Sequence, residues 1–294
     1  MRSRTNRRLL AVAAILALGA VGLERARAGN TTGILVCYPG KPGSTKAAKG
    51  VMEGFAAHLE TEAKLEKGAL SAIYMNEEKP ALEHLQESKP SYGILSLAIY
   101  LKWKAAGTKI TPIAISEKGE SHELTERFHA LVPATSTRKG LADLKGSVVT
   151  SCFLDDPRFA TKIVFAGALD ASSDVAIVAT RMFLPALRLC ADEKPLPDGR
   201  KLAAVIVDDA QLKGLEGLPF KNKLKVLWSS KPLPTPPFVA FGDAQGTDLS
   251  KKLTTILSGM SSQAAGKAVL ETLQETSGFR PVPEGAYAGV ESAY

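Results

Sequence analysis

GILVCYPGKPGSTKAAKGVMEGFAAHLE, residues 33–60, carries the pattern on which the fold turns. Its first six residues form a β-branched, apolar run of strand type. After a turn rich in Gly and Pro, Val51, Phe55 and Leu59 recur at helical spacing, and Ser44 or Thr45 supplies an N-cap. A strand feeding a helix predicts one βα unit, and the unit repeats. LSAIYM (70–75) reads as a strand and PALEHLQE (80–87) as a helix opened by proline. YGILSL (92–97) is a third strand, followed by a short helix through Trp103, and TKITPIAIS (108–116) is a fourth. This order predicts a mostly parallel sheet with helices on both faces.

The pattern then restarts. RFHALVP (127–133) is extended, GLADLKG (140–146) is a short helix closing at Gly146, and SVVTSCF (147–153) is a strand. Residues 157–169 read as helical, DVAIVAT (174–180) as a strand, and MFLPALRLC (182–190) as a helix with a proline inside it. LAAVIVD (202–208) and KLKVLWSS (223–230) are further strands. KPLPTPPF (231–238) is expected to be extended, without the donors for a helix or a central strand. Two helices, 247–260 and 262–274, precede a closing coil, GFRPVPEGAYAGV.

The first 28 residues have the layout of a secretory signal peptide: an Arg-rich start, an uncharged apolar run from Leu9 to Leu23, and Ala26-Arg27-Ala28 as a small-x-small cleavage site. The apolar run is shorter than the roughly 20 residues of a spanning helix. The segment holds six Arg and one Glu, which is +5 of the chain's net +7 and leaves about +2 for the remainder. The basic character therefore belongs to the targeting segment and gives no basis for nucleic-acid binding. The expected location is the periplasm, reached through a cleaved signal.

Three cysteines, Cys37, Cys152 and Cys190, leave at least one free thiol in an oxidising compartment. Cys152 and Cys190 could pair, although buried free thiols are the plainer expectation. His58, His84, His122 and His129 show no ligand spacing, GKPGST lacks the Walker spacing, and no GxSxG turn occurs. The residues predict no enzyme, no metal and no cofactor. Two α/β lobes in an exported chain suggest instead a cleft that clamps a small molecule.

ALVPATSTRKGLADLKGSVVTS (130–151), KVLWSSKPLPTPPFVAF (225–241) and the tail from Asp248 to Tyr287 together resemble the phosphate/phosphite/phosphonate-binding periplasmic proteins, type II solute-binding proteins of ABC transporters. The resemblance implies a two-lobed Venus-flytrap α/β fold. Residues 29–128 plus 234–294 would form one lobe and residues 129–233 the other. Phe128 to Leu131 and Ser230 to Pro234 would serve as the hinge. It further implies capture of a small molecule and delivery to an ABC permease in the inner membrane. A ligand sensor that signals to a membrane partner is the alternative.

In that family a D-P-x-S-x-S-G turn follows the strand matching SVVTSC and holds an oxyanion at a helix N-terminus. This chain has Asp155-Asp156-Pro157-Arg158-Phe159-Ala160-Thr161, so only Thr161 remains of the hydroxyl cluster. Two carboxylates would repel a phosphonate dianion. Arg158 would offset them, and capping is the plainer role for Asp155 or Asp156. Matching positions add Tyr38, Ser44 and Thr45 after the first strand, Ser96 and Tyr100 after the third, Phe153, and Thr180-Arg181. Asp208 ends the strand 202–208, again with capping as the alternative. The carboxylates suit a cation or zwitterion. Leu95, Leu97, Tyr100 and Phe153 suit an apolar or lipid ligand, or ordinary packing beneath the cleft.

Overall fold

A computed structural model describes residues 31–294, apart from 42, 181–182 and 274–275. The expected signal peptide, residues 1–28, lies outside the described residues, as does Arg181.

The chain opens with β1 (Thr32–Cys37), α1 (Thr45–Ala63), β2 (Leu70–Met75), α2 (Glu78–Ser88), β3 (Tyr92–Leu95), α3 (Leu97–Ala105) and β4 (Ile110–Glu117). β1 lies between β2 and β3 and is parallel to both. Its alternation sorts residues to two buried faces. Ile34 and Val36 pack with Met52, Phe55 and Leu59 of α1, whereas Leu35 and Cys37 join Leu97, Leu101 and Trp103 of α3. Burial of both faces is why the run reads as continuously apolar. α1 starts where the Ser44 side chain accepts from the Ala47 N–H, and stops where Lys64 turns left-handed at φ 54°.

A crossover containing β5 (Thr125–Glu126) leads to a second sheet of β6 (Phe128–Pro133), β7 (Ser147–Ser151), β8 (Val175–Ala179), β9 (Leu202–Asp208) and β10 (Leu224–Ser229). Its order is β10-β6-β9-β7-β8. Between these strands lie α4 (Pro157–Phe159), α5 (Phe183–Ala191) and α6 (Asp209–Gly214). The return passes through β11 (Leu233–Pro234), which pairs with β5 in a two-stranded ribbon between the sheets. The chain then completes the first sheet with β12 (Pro237–Phe241) and β13 (Gly278–Arg280), in the order β13-β4-β12-β3-β1-β2. α7 (Asp248–Gly259) and α8 (Ala264–Leu273) cover its α1 face through Leu253, Leu257 and Leu270, and α9 (Ala288–Ala293) closes the described chain. Among the described residues no helix is long and apolar enough to cross a membrane.

Both sheets are mixed. β1, β2, β3 and β4 point one way in the first sheet, with β12 and β13 reversed; β7, β8, β9 and β10 point one way in the second, with β6 reversed.

Four expectations need correction. The proline-rich stretch does reach a central strand: β12 sits between β3 and β4. Pro237 is its first residue, where a strand tolerates a missing N–H. The expected closing coil contains β13 and α9. Residues 157–169 form only one α turn, which widens into a π turn over Ala160–Val164 and ends at Ala166 and Gly167, both at positive φ. The wide turn brings Phe159, Ala160, Ile163 and Val164 inward together. Lastly, Phe128 to Leu131 are ladder residues of β6, paired with β9, so the first crossover lies upstream at 118–127. All three thiols are free and buried, so Cys152 and Cys190 do not pair.

Candidate functional site

The loops at the carboxyl ends of strands in both sheets face each other across a cavity of about 520 Å3, the usual place for a ligand in open α/β architecture. Tyr38, Pro39, Gly40 and Lys41 enter after β1, Asn76 to Lys79 after β2, and Ser96, Leu97 and Ala98 after β3. Phe153, Asp155 and Asp156 enter from the opposite side after β7, Thr180 after β8, and Asp208 as the last residue of β9. The crossovers contribute Lys118, Glu126 and Pro236.

The turn after β1 is held by Asn76, whose side-chain amide donates to the carbonyl of Gly43 at 2.7 Å and to that of Lys41 at 3.4 Å. Gly40 has φ +80° and packs directly on the Cys152 carbonyl of the second sheet. Lys41 then reaches across the cleft. Its Nζ lies 3.4 Å from Asp208 Oδ2 and 4.7 Å from the centroid of the Phe153 ring. The Lys41 and Asp208 side chains are 16% and 7% exposed, so the pair is largely shielded from screening. Burial pushes the neighbouring Cys152 thiol up from its ordinary range.

Charge lines the remainder of the cavity. Lys102 Nζ is 2.7 Å from Glu78 Oε2, and Lys118 Nζ is 3.9 Å from Glu126 Oε2. Asp156 caps α4 by accepting from the Arg158 N–H at 2.9 Å, and its other oxygen accepts from the Tyr294 hydroxyl at 2.5 Å. Burial, then that contact with Asp156, pushes the Tyr294 hydroxyl well above the usual phenol range. Among the described residues, six carboxylates (Glu77, Glu78, Glu126, Asp155, Asp156, Asp208) face four lysines (Lys41, Lys79, Lys102, Lys118) in this lining.

Of the residues expected from the sequence, Tyr38, Ser96, Phe153, Asp155, Thr180 and Asp208 are brought to the cavity. Ser96 and Asp208 also cap helices, accepting from the Ile99 and Gln211 N–H groups. Five others are placed elsewhere. The Ser44 hydroxyl is engaged in capping α1, and Thr45 is exposed beside it. Tyr100 is fully buried, donates to Glu291 and accepts from Lys104 Nζ at 3.0 Å, away from the cavity. The Arg158 guanidinium stacks on the Tyr294 ring at 4.4 Å. Thr161 Oγ1 accepts from the Ala171 N–H and shapes the π turn.

Sequence reasoning missed Lys41, Lys79, Lys102, Lys118, Glu77, Glu78 and Glu126. Lys41 carried a usable signal, because it sits within a Gly-rich turn after a strand. The others looked like ordinary solvated charges. His122 and His129 serve the scaffold. His122 Nδ1 is 2.6 Å from the buried Glu117 carboxylate, and His129 bridges Ser229 and Asp209 at 2.8 Å each. Among the described residues no cluster of His, Cys, Asp and Glu could hold a metal ion.

Residues 199–287 match the family of ABC transporter, phosphonate, periplasmic substrate-binding proteins. No curated protein matches the chain. A Xanthomonas citri protein solved with chloride superposes with TM-score 0.70 at 11% identity, covering 90% of this chain and 97% of its own. The binding-protein component of an ABC phosphonate transporter from Pseudomonas aeruginosa superposes with TM-score 0.63 at 15% identity, covering 90% and 86%. A Prochlorococcus marinus protein solved with methylphosphonate gives 0.61 at 11% identity, covering 90% and 97%. The chain thus resembles the phosphonate-binding periplasmic proteins, which bind substrate for ABC transporters and are not enzymes, and it has the two-lobed type II fold.

Proposed function

We propose that the protein is exported through residues 1–28, cut after Ala28, captures a small molecule between its lobes, and presents the closed form to an ABC permease in the inner membrane. The observation that carries this reading is the cavity of about 520 Å3 walled by loops from both sheets. The volume suits a small solute.

The crossovers at 118–127 and 230–236, joined by the β5–β11 ribbon, are the proposed hinge. Tyr38, Ser96, Phe153, Asp155, Thr180 and Asp208 are the proposed contacts. The charged residues of the loop after β2 join them.

Small-angle scattering with a panel of solutes tests the reading. A bound solute is expected to compact the protein and raise its melting temperature; at about 100 times its Kd the stabilisation is roughly 2.7 kcal/mol. A protein whose dimensions and melting temperature ignore phosphates, phosphonates, amines, amino acids and lipids alike would overturn it.

A further inference from the structure

Lys41 occupies a position that a ligand would be expected to take. Its ammonium crosses from the first sheet's loops to the second's and rests between a carboxylate and an aromatic face, Asp208 at 3.4 Å and Phe153 at 4.7 Å. That pairing is how proteins hold organic ammonium ions. Phe128 meets Phe153 edge-on at 5.9 Å and fixes the ring. Asp208 is fixed as well, because its other oxygen accepts from the Gln211 N–H at 2.8 Å.

We propose that Lys41 is a tethered occupant of an organic-cation site, and that the cargo is a small organic ammonium compound that takes its place on Phe153 and Asp208. This rests on the solute-binding reading above and names the class of solute. The Asp208 side chain is 7% exposed, so vacating it without a replacement cation would leave a buried charge unpaired. The tether can yield through its side chain, a flexible four-carbon stem, while Asn76 holds the carbonyls of Lys41 and Gly43. Among the described residues, the lining with Lys41 swung out keeps six carboxylates against three lysines. A phosphonate dianion would meet that excess at short range, whereas a cation is drawn into it.

Calorimetric titration of the purified protein with choline, putrescine and spermidine, and in parallel with methylphosphonate and inorganic phosphate, tests the proposal through the sign of one mutation. If Lys41 competes with the cargo, Lys41→Ala tightens binding of the cation by roughly tenfold, the scale of one such contact. Asp208→Asn keeps an acceptor for the α6 cap and is expected to weaken cation binding by at least about tenfold. If an anion binds the native protein and Lys41→Ala abolishes it, Lys41 is an anion ligand; the cation proposal is overturned while solute binding stands. If none of the five probes binds either protein, the cation proposal is overturned, and unchanged scattering with the wider solute panel would overturn the solute-binding reading with it.

Discussion

Gly40 and the Cys152 carbonyl meet across the cleft so closely that a Cβ on Gly40 would lie 1.5 Å from the Cys152 oxygen. Two backbones from different sheets are in direct contact there, with no side chain between them. The approach requires glycine twice over, because Gly40 also holds φ +80°. The closed arrangement therefore depends on one missing methyl group.

Gly40→Ala is expected to fold, at a cost of about 1–2 kcal/mol for the left-handed backbone, and to keep the lobes apart. Its radius of gyration should exceed that of the native protein. Affinity for any closure-dependent solute should fall about tenfold or more, because the competent state is a smaller fraction. Unchanged dimensions and affinity would show that the contact is dispensable.

Tyr294 ties the tail to the other side of the cleft through Asp156 at 2.5 Å and Arg158 at 4.4 Å. Tyr294→Phe removes only the hydroxyl and is expected to cost roughly 1.5–3 kcal/mol, the range for a bond to a charged acceptor. Tyr294→Ala also removes the stacked ring and should cost more by about 0.5–2 kcal/mol. Urea titration of the three proteins measures both steps. Equal losses for the two variants would assign the whole effect to the hydroxyl.

Asp192 accepts from Lys223 Nζ at 2.7 Å and Arg188 Nε at 3.0 Å, and these hold its carboxyl at about 2, below the ordinary 3.8. A carboxyl depressed by folding contributes stability above its unfolded value and loses it as pH falls toward the folded value. Asp192→Asn should therefore lower the melting temperature at pH 6 and have a much smaller effect near pH 2, where the folded carboxyl is already half protonated. A difference between the two proteins that is the same at both pH values would contradict this.

Cys37, Cys152 and Cys190 are each under 5% exposed, and burial raises all three thiols, Cys190 to about 12. At pH 8 they are neutral and shielded, and only the thiolate reacts. An aromatic disulfide reagent should label none of them in the folded protein within minutes and all three in guanidinium. Rapid labelling of one thiol in the native state would locate a local opening, and Cys152, which packs on Gly40 across the cleft, is the residue to map first.

Much of the fold is legible in the chain because its signals are local. The apolar run 33–38 and the Val51, Phe55, Leu59 spacing correspond to β1 and α1, and the Ser44 cap is where the residue type predicts it. Pro185 sits inside the first turn of α5, where its missing N–H costs nothing. Asp156-Pro157 is a helix start in the structure as in the sequence. Pro237 was misjudged because a proline's effect on a strand depends on which hydrogen bond it would have made, and that depends on the neighbouring strand.

The cavity was less legible for the same physical reason. Lys41 and Asp208 are separated by 167 residues, and no local period relates them. Helix caps such as Ser96 and Asp208 could be found because a cap answers to its own next three residues. Tyr100, one helical turn beyond Ser96, looked like a site residue, yet rotation about α3 turns it toward Glu291. What the sequence by itself determined is the order of strands and helices, the segments buried on two faces, and the caps, all of which follow from neighbours within a few residues. Which charges face the cleft, which glycine permits the lobes to touch, and which cation sits on Phe153 were decided only by tertiary structure, because each depends on where two distant segments meet.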